Sequence, residues 1–317
     1  MDMERNTQYI NAIKRNIGQV IVGKEQVTEL LLSALLAQGH VLLEDVPGTG
    51  KTMLAKSLAK SVDVAFSRIQ FTPDLLPSDV TGLNYYNQKA GEFMFRPGPV
   101  FCGILLADEI NRATPRTQSS LLECMEEHQV TLDGETRRLE DPFFVIATQN
   151  PIETAGTFPL PEAQLDRFLI QVSMGMPDEN EEVEILQRFL KEQPLNELKA
   201  VCSAEELRRL QRDCLEVYVH PQLMRYVVQL TEATRNKKEI RMGASPRGTL
   251  ALLRIARAYA LVQGRSYVIP EDVKALAVPV LAHRLILSGG VMGGQSAQNL
   301  IRELLDRIPV PTEEWTN

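Results

Sequence analysis

The stretch from Asp45 to Thr52, which reads Asp-Val-Pro-Gly-Thr-Gly-Lys-Thr, constrains the fold of this chain more than any other. It follows an apolar run at 40–44 that predicts a buried strand, and it precedes residues 53–59, whose apolar side chains have helical spacing. A strand, a tight glycine turn and a helix that begins Gly-Lys-Thr predict a phosphate-binding loop. The unpaired backbone N–H groups at such a helix N-terminus attract anions.

The side chains of this loop have separate expected roles. Gly48 and Gly50 let the backbone curl around phosphates without a Cβ in the way. Lys51 is expected to reach the β- and γ-phosphates, and the Thr52 hydroxyl to hold Mg²⁺. One position departs from the G-x-x-x-x-G-K-[ST] pattern, because Asp45 stands in place of its first glycine. The residues predicted to contact the nucleotide in this loop are Pro47, Gly48, Thr49, Gly50, Lys51, Thr52 and Met53.

Composition narrows the class of protein. Of the 317 residues, 44% are hydrophobic and 24% are charged, as in an ordinary globular protein. The net charge of −7 argues against a non-specific nucleic-acid binder, which carries a basic excess. The four widely spaced cysteines form no C-x-x-C pair, which predicts reduced thiols in a cytoplasmic protein. We expect neither a signal peptide nor a membrane span, because no run of about 18 apolar residues occurs.

The alternation of strand-like and helix-like segments predicts two domains. An α/β domain with a parallel sheet is expected over residues 1–176, and a helical domain over 177–317. At the end of the first domain we expect a helix from Pro161 to Phe168. In the second domain we expect helices only, among them one from Pro270 to Leu287.

Two hairpins are predicted within the first domain, near 83–96 and 129–138. The first has aromatic residues on both sides of a polar turn, and the second contains Asp-Gly between alternating segments, a strong turn signal. The aromatic residues of the first hairpin suit a surface that contacts a client or partner. They suit cross-strand packing within the hairpin equally well.

Asp108 and Glu109 directly follow the apolar strand predicted near 103–107. In a parallel sheet the ligand site lies at the carboxyl ends of the strands, so this pair is expected beside the phosphate loop. Asp108 would then join the Mg²⁺ shell, and Glu109 would polarise the attacking water as a general base. Surface acids at a helix N-cap are the alternative, which the upstream loop makes less attractive.

Three further polar residues are candidates. Asn150, after the strand predicted at 143–147, would orient the lytic water, although an Asn-Pro turn explains it too. Arg167 would stabilise transition-state charge in a neighbouring subunit's site, although a surface pair with Asp166 is the simpler explanation. Arg247 lies in a predicted first helical turn, where the dipole disfavours a cation. That placement suggests a nearby anion, with a solvated arginine as the alternative.

Taken together, these features resemble the AAA+ ATPases and, more narrowly, the MoxR family. The matching stretches are residues 43–52, 68–79, 108–113, 147–151 and 160–168. The resemblance covers nearly the whole chain, is most specific between about 40 and 175, and tolerates Asp45. It implies an AAA+ P-loop sheet flanked by helices, with a smaller all-α lid domain.

The resemblance also implies roles for single residues. Lys51 and Thr52 match Walker A, Asp108 and Glu109 match Walker B, Asn150 matches sensor 1, Arg167 matches the arginine finger and Arg247 matches sensor 2. Val22 and Gly23 match the segment that lines the adenine.

At the level of function, the resemblance implies ATP and Mg²⁺ as cofactors and a homo-hexameric ring. It further implies chaperone-like maturation or activation of another protein, metal or cofactor insertion being one form, often with a partner that carries a von Willebrand factor A domain. Two alternatives remain open. One is a nucleic-acid-stimulated motor of the helix-2-insert clade, and the other is a nucleotide-dependent scaffold with low turnover.

Overall fold

The computed structural model of this chain describes residues 1–151, 156–190, 193–288 and 296–311, and the structural statements below refer to them. Parts of the predicted helical domain, at 191–192, 289–295 and 312–317, lie outside the described residues.

The first part of the chain alternates strands and helices. Its elements are α1 (Met3–Gly18), α2 (Glu25–Leu36), β1 (His40–Glu44), α3 (Lys51–Ser61), β2 (Phe66–Gln70), α4 (Pro77–Thr81), β3 (Gly82–Asn87), β4 (Glu92–Pro97), β5 (Ile104–Asp108), a 3-10 turn (Ile110–Arg112), α5 (Pro115–Glu127), β6 (Gln129–Leu132), β7 (Glu135–Arg138), β8 (Phe144–Gln149), α6 (Glu162–Leu165) and β9 (Phe168–Val172).

Helices dominate the rest. The elements are α7 (Glu179–Phe189), α8 (Pro194–Glu197), α9 (Ala204–Cys214), α10 (Pro221–Arg235), β10 (Ile240–Met242), α11 (Pro246–Val262), α12 (Pro270–Leu281), a 3-10 turn (Ala282–Arg284), β11 (Ile286–Leu287) and α13 (Ala297–Arg307).

A five-stranded parallel sheet, in the order β2-β5-β8-β1-β9, is the centre of the first part. The inner strands β5 and β8 are buried almost throughout, as their apolar runs predict for strands covered on both faces. The sheet confirms the predicted α/β class. In register, Gln70 pairs with Asp108 and Glu44 pairs with Gln149. Four strands therefore end at one edge, and that edge positions the site.

One hydrophobic cluster runs from a face of the sheet into the later helices. It contains Leu58 of α3 and Ile146 of β8 together with Leu252 of α11 and Leu276 of α12. Helix α11 also packs against α2, so the two predicted domains share a core. The boundary near residue 176 stays a prediction, since no break in this core marks it.

Both predicted hairpins are present, as β3–β4 and β6–β7. They contact each other: Asn84 Nδ2 donates a hydrogen bond to Asp133 Oδ2 over 2.7 Å, and the Arg137 guanidinium lies 4.2 Å from the Phe95 ring centroid. Tyr86 and Phe93 pack edge to face across the first hairpin with 5.4 Å between centroids, yet Phe93 remains 75% exposed. Cross-strand packing and an exposed apolar surface therefore coexist on it.

Two secondary-structure predictions are wrong. The helix from Pro161 to Phe168 is only the short α6, because Phe168 begins β9 and pairs with His40 of β1. The second part is not purely helical, because β10 and β11 form a small antiparallel pair. The helix that starts at Pro270 accordingly ends at Leu281. Both errors have one cause, since strand pairing between distant segments leaves little trace in local periodicity.

Candidate active site

The phosphate loop has the backbone that its glycines allow. Gly48 and Gly50 have φ of +90° and +89°, and Gly50 is the left-handed N-cap of α3. A Cβ at Gly48 would meet no heavy atom within 4 Å, so the loop opens onto free space there. Lys51 Nζ donates to the carbonyl oxygens of Asp45 and Val46 over 3.0 and 3.1 Å. The ammonium group is thus held over the loop, as an anion-binding cradle requires.

The carboxyl ends of four strands enclose this loop in one cavity of about 410 Å³. Its lining brings together the loop, both acids and the polar end of β8: Asp45, Pro47, Gly48, Gly50, Lys51, Thr52, Met53, Arg68, Gln70, Asp108, Glu109, Thr148, Gln149 and Asn150. The predicted meeting of the loop with the acids therefore occurs. Thr49, the remaining loop residue of the prediction, is 9% exposed, and its hydroxyl donates to the Val46 carbonyl over 3.5 Å.

Asp108 has two hydrogen-bond partners in this cavity. Its Oδ1 accepts from the Thr148 hydroxyl over 2.7 Å, and its Oδ2 accepts from Arg68 Nη2 over 2.6 Å. Thr52 lines the same cavity. A hydroxyl and a carboxylate are the oxygen ligands that Mg²⁺ uses beside nucleotide phosphates, so these two side chains fit that ion.

Glu109 takes a left-handed backbone conformation, with φ of 56° and ψ of 50°. This conformation is uncommon outside glycine. The N–H of Glu109 donates to Thr148 Oγ1 over 2.8 Å. Its Oε2 accepts from Gln70 Nε2 over 2.8 Å and from Arg112 Nη1 over 3.1 Å. The carboxylate is thereby held at the edge of the cavity, where a general base would stand.

Three residues of this site were given no role from the sequence, although each lies in a stretch that resembles the family: Arg68, Gln70 and Thr148. Thr148 bonds both acids, and the two β2 side chains bond one acid each. Arg68 and Gln70 are two positions apart on a strand, which places them on one face. This spacing points to the site only when β2 is known to pair with β5, as the structure shows. Asn150, which was predicted, lines the cavity and is 8% exposed.

Val22 and Gly23 do not line the cavity around the phosphate loop. Gly23 has φ of +67° and packs directly against the Glu181 carboxylate at the start of α7. The neighbouring Lys24 Nζ donates to the Met176 carbonyl over 3.3 Å and pairs with Glu181 Oε2 at 3.2 Å. The role of Val22 and Gly23 towards adenine stays a prediction.

Arg167 and Arg247 lie together, away from the loop. Arg167 Nε donates to Glu126 Oε2 over 2.7 Å, and Arg247 Nη2 lies 3.1 Å from Glu126 Oε1. Arg247 Nε is also 4.0 Å from Asp166 Oδ2. The anion suggested by the placement of Arg247 is, in this chain, a pair of carboxylates. Burial raises the pKa of the Glu126 carboxyl, but hydrogen bonds and charges from the two arginines more than offset this and hold it below its ordinary value.

The position of Arg167 in the sheet separates it from its own loop. Arg167 precedes β9 at its amino end, whereas the loop follows β1 at the carboxyl end, and the two strands are parallel. Five residues of strand span roughly 17 Å. The two arginines line a second cavity of about 210 Å³ with Arg254 and Arg284, and the phosphate loop contributes nothing to that lining.

Comparison with known proteins identifies the family of this chain. A model described as the ATPase family associated with various cellular activities (AAA) matches residues 40–170, and one of the AAA lid domain matches 232–304. The uncharacterised protein YeaC of Bacillus subtilis is 51% identical over 94% of this chain and 93% of its own length. The chaperone MoxR1 of Mycobacterium tuberculosis is 44% identical over 93% of this chain and 80% of its own length. The chain belongs to the MoxR family of AAA ATPases.

A solved structure supports the same assignment. A Cytophaga hutchinsonii protein described as a candidate ATPase superposes on this MoxR-family chain with a TM-score of 0.90 and 39% identity, over 98% of both chains. The MoxR family, the AAA match and the nucleotide-binding loop together establish ATP hydrolysis as the activity of the chain. Among the described residues, no helix combines the length and the apolar character that a membrane crossing requires.

Proposed function

We propose that this chain hydrolyses ATP with Mg²⁺ in a homo-hexameric ring and uses the cycle for chaperone-like maturation or activation of another protein. The observation that carries the proposal is the separation of two half-sites on one subunit. The loop and both acids share one cavity, while Arg167 and Arg247 share another at the opposite edge of the sheet. Two copies that bring these edges together would complete one site, as a head-to-tail ring requires.

Each side chain has a separate role in the proposed reaction. Lys51 and the loop N–H groups bind the phosphates, and Glu109 accepts a proton from the attacking water. Thr52 and Asp108 would hold the Mg²⁺, which supplies neutralisation of phosphate charge. Thr148 orients both acids through its single hydroxyl. Asn150 positions the water from the end of β8, and Val22 and Gly23 line the adenine.

The two arginines complete the site from the neighbouring subunit. In the isolated chain their charge is balanced by Glu126, so each must give up part of that pairing to approach a phosphate. Because a positive charge supplied from a neighbour stabilises the transition state, hydrolysis depends on assembly. Arg247 belongs to α11, whose N-terminus packs beside Asp166, so the same contact links hydrolysis to movement of the later helices.

The relatives support the chaperone-like role. The Mycobacterium relative is named a chaperone, and this chain matches 80% of its length. We propose a partner with a von Willebrand factor A domain, and insertion of a metal or cofactor is one form of the maturation step. The exposed apolar side chains of β3–β4 and the adjoining β6–β7 hairpin would offer a contact surface to such a protein.

Substitution of the general base tests the proposal. Glu109→Gln should lower kcat by about 10²–10⁴-fold, because it removes the proton acceptor while keeping the shape of the side chain. Nucleotide affinity should stay nearly unchanged, since the loop is intact. Steady-state phosphate release measures kcat, and titration with a fluorescently labelled ADP measures nucleotide affinity. Arg116→Gln, on the outer part of α5, is a control expected to leave both unchanged.

Two outcomes would contradict the proposal. Equal phosphate release by Glu109→Gln and the parent would remove Glu109 from the mechanism. ATPase activity that depends on added DNA would instead favour the nucleic-acid motor. The same variant can be used to identify the partner protein, because Glu109→Gln with ATP should retain a bound partner long enough for it to be captured.

A further inference from the structure

Asp45 is the one residue of the phosphate loop that departs from the general pattern, and its side chain is almost fully enclosed. It is 5% exposed. Its carboxylate accepts three hydrogen bonds: from the Ser173 hydroxyl over 2.7 Å, from the Met174 N–H over 2.5 Å and from the Gly175 N–H over 3.1 Å. A buried carboxylate is costly unless donors surround it, and here all three donors come from one short segment.

The backbone at position 45 does not need a glycine. Asp45 is not among the residues with positive φ, in contrast to Gly48 and Gly50 in the same loop. An aspartate therefore fits there without backbone strain. Its carboxylate points out of the loop towards residues 173–175. The opposite side of the residue faces the site, because its carbonyl oxygen accepts from Lys51 Nζ over 3.0 Å.

The segment that supplies the three donors is the start of a connection. Residues 173–178 lead from the end of β9 to α7, the first helix of the later part of the chain. The far end of this connection is held by a second set of contacts. Lys24 Nζ donates to the Met176 carbonyl and pairs with Glu181 Oε2, and Gly23 packs against the Glu181 carboxylate.

One connection is thus bonded at one end to the phosphate loop and at the other to the segment proposed to line the adenine. A nucleotide that contacts both segments would change the distance or angle between them. Because Asp45 and Lys24 attach the connection to the two segments, such a change would be passed to α7. The loop end depends on a single side chain, which makes that link open to substitution.

We propose that Asp45 is a positioning residue that couples the phosphate loop to the connection at 173–181, so that nucleotide bound at the loop alters the conformation of that connection. This inference rests on the proposed nucleotide site. It assigns Asp45 no contact with the reacting atoms. Returning the loop to the general pattern with a glycine should therefore impair the protein, although the sequence would then match the pattern better.

The test compares Asp45→Asn and Asp45→Gly with the parent chain. Asn keeps the volume but turns an NH₂ group towards donors, and Gly removes the acceptor altogether. Hydrogen exchange of peptides covering 173–181 is measured with and without Mg-ADP, alongside ADP affinity and kcat at saturating ATP. In the parent, ADP should slow exchange in these peptides. In both variants ADP should still bind, the ADP-dependent change should be lost, and kcat should fall by about tenfold or more.

Ser173→Ala supplies the reciprocal variant, and it also covers the case in which an Asp45 variant does not fold. It removes one of the three donors and should reduce the ADP-dependent change by part of its amplitude. Because Ser173 acts through its bond to Asp45, Ser173→Ala should add nothing to the effect of Asp45→Asn in a double-mutant cycle on the ADP-dependent change in exchange. Additive effects would overturn the coupling.

The failures are distinguishable. A parent chain that binds no Mg-ADP would overturn the proposed nucleotide site and with it this inference. A parent that binds and hydrolyses, while Asp45→Asn keeps the full ADP-dependent change and a parental kcat, would overturn the role of Asp45 alone. A variant that merely melts at lower temperature but keeps the ADP-dependent change would show Asp45 to be structural, and would also overturn the coupling.

Discussion

Thr148 bonds both acids of the site with one hydroxyl, since Oγ1 donates to Asp108 Oδ1 and accepts from the Glu109 N–H. It is 1% exposed, so neither bond is exchanged for water. At the scale of single residues, the site therefore depends on groups that perform no chemistry. Arg68 and Gln70 do the same for one carboxylate each, from the edge strand β2.

Removing this hydroxyl should impair catalysis more than stability. Thr148→Val keeps the shape but leaves a buried N–H and a carboxylate short of a partner, which costs ~1–3 kcal/mol. If most of that loss falls on the transition state, kcat drops by about tenfold to a hundredfold. Steady-state ATPase assays measure it, and Thr148→Ser, which keeps the hydroxyl, is the control. Equal rates for the valine and serine variants would contradict the role.

A second residue-scale prediction concerns pH. Burial, with smaller contributions from His128 and Arg254, lowers the pKa of His40 to about 4, although the Met125 carbonyl acts in the opposite direction. Folded His40 is thus neutral, with Nδ1 accepting from the Val145 N–H over 3.1 Å. The unfolded chain has an ordinary His pKa of about 6.5, so it binds the proton first as the pH falls.

This histidine therefore stabilises the fold fully above pH ~6.5, and its contribution is lost as the pH falls towards 4. At ~1.4 kcal/mol per unit of pKa difference, the loss cannot exceed ~3.5 kcal/mol. Urea unfolding at a series of pH values measures it in the parent and in His40→Gln. The glutamine variant should be less stable at pH 7 but should have a shallower pH dependence. Parallel curves would contradict the assignment.

At the scale of elements, local sequence signals mark where helices begin. Ser203 and Glu206 form a capping box at the start of α9, and each side chain bonds the other residue's backbone N–H. Asp178 and Glu181 form the same box at α7. The β3–β4 hairpin is anchored differently, by a glycine at its base. Gly82 has φ of +94°, and a Cβ there would overlap the Arg96 carbonyl.

Two glycines of this hairpin provide a matched comparison. Gly82→Ala should destabilise the protein by about 1–3 kcal/mol, because it adds a backbone clash to an unfavourable φ. Gly91→Ala, at the tip with φ of +71°, should cost about 1 kcal/mol, since a Cβ there meets no atom within 4 Å. Chemical denaturation measures both. A larger effect at Gly91 would show that the close approach at the base does not hold the hairpin.

At the scale of the whole molecule, the proposed function depends on whether the loop and the arginine pair of one subunit can meet. The loop lies at the carboxyl edge of the sheet, and the arginine pair lies near the amino end of β9. Within one subunit the sheet itself keeps them apart. Rotation of the later helices cannot bring Arg167 to its own loop, because Arg167 directly precedes a strand of that sheet.

Mixing two inactive variants tests the completion of the site by a neighbour. Glu109→Gln lacks the base but keeps its arginines, whereas Arg167→Ala keeps its base. Each should be nearly inactive alone. In an equal mixture, about a quarter of the interfaces combine an intact base with an intact arginine, so about a quarter of the parental rate should return. Phosphate release after co-assembly measures it, and an arginine that acted within its own subunit would restore nothing.

Much of the fold and of the site is predictable from the sequence, for definite reasons. The phosphate loop, the acids Asp108 and Glu109 and the buried strands are each encoded in contiguous residues. Glycines and apolar runs there determine the local backbone conformation directly. The Phe168 strand start and the β10–β11 pair were missed, because each needs a partner far along the chain.

By itself, therefore, the sequence determined that this chain binds a nucleotide phosphate through a loop between a strand and a helix, inside an α/β fold. Only the tertiary structure decided which side chains share a site. Strand order places Arg68, Gln70 and Thr148 around the acids. Because β1 and β9 are parallel, Arg167 lies at the amino ends of the strands, whereas the loop lies at their carboxyl ends. Periodicity reports how one segment meets the core, whereas a site is built from segments whose neighbours are chosen by packing.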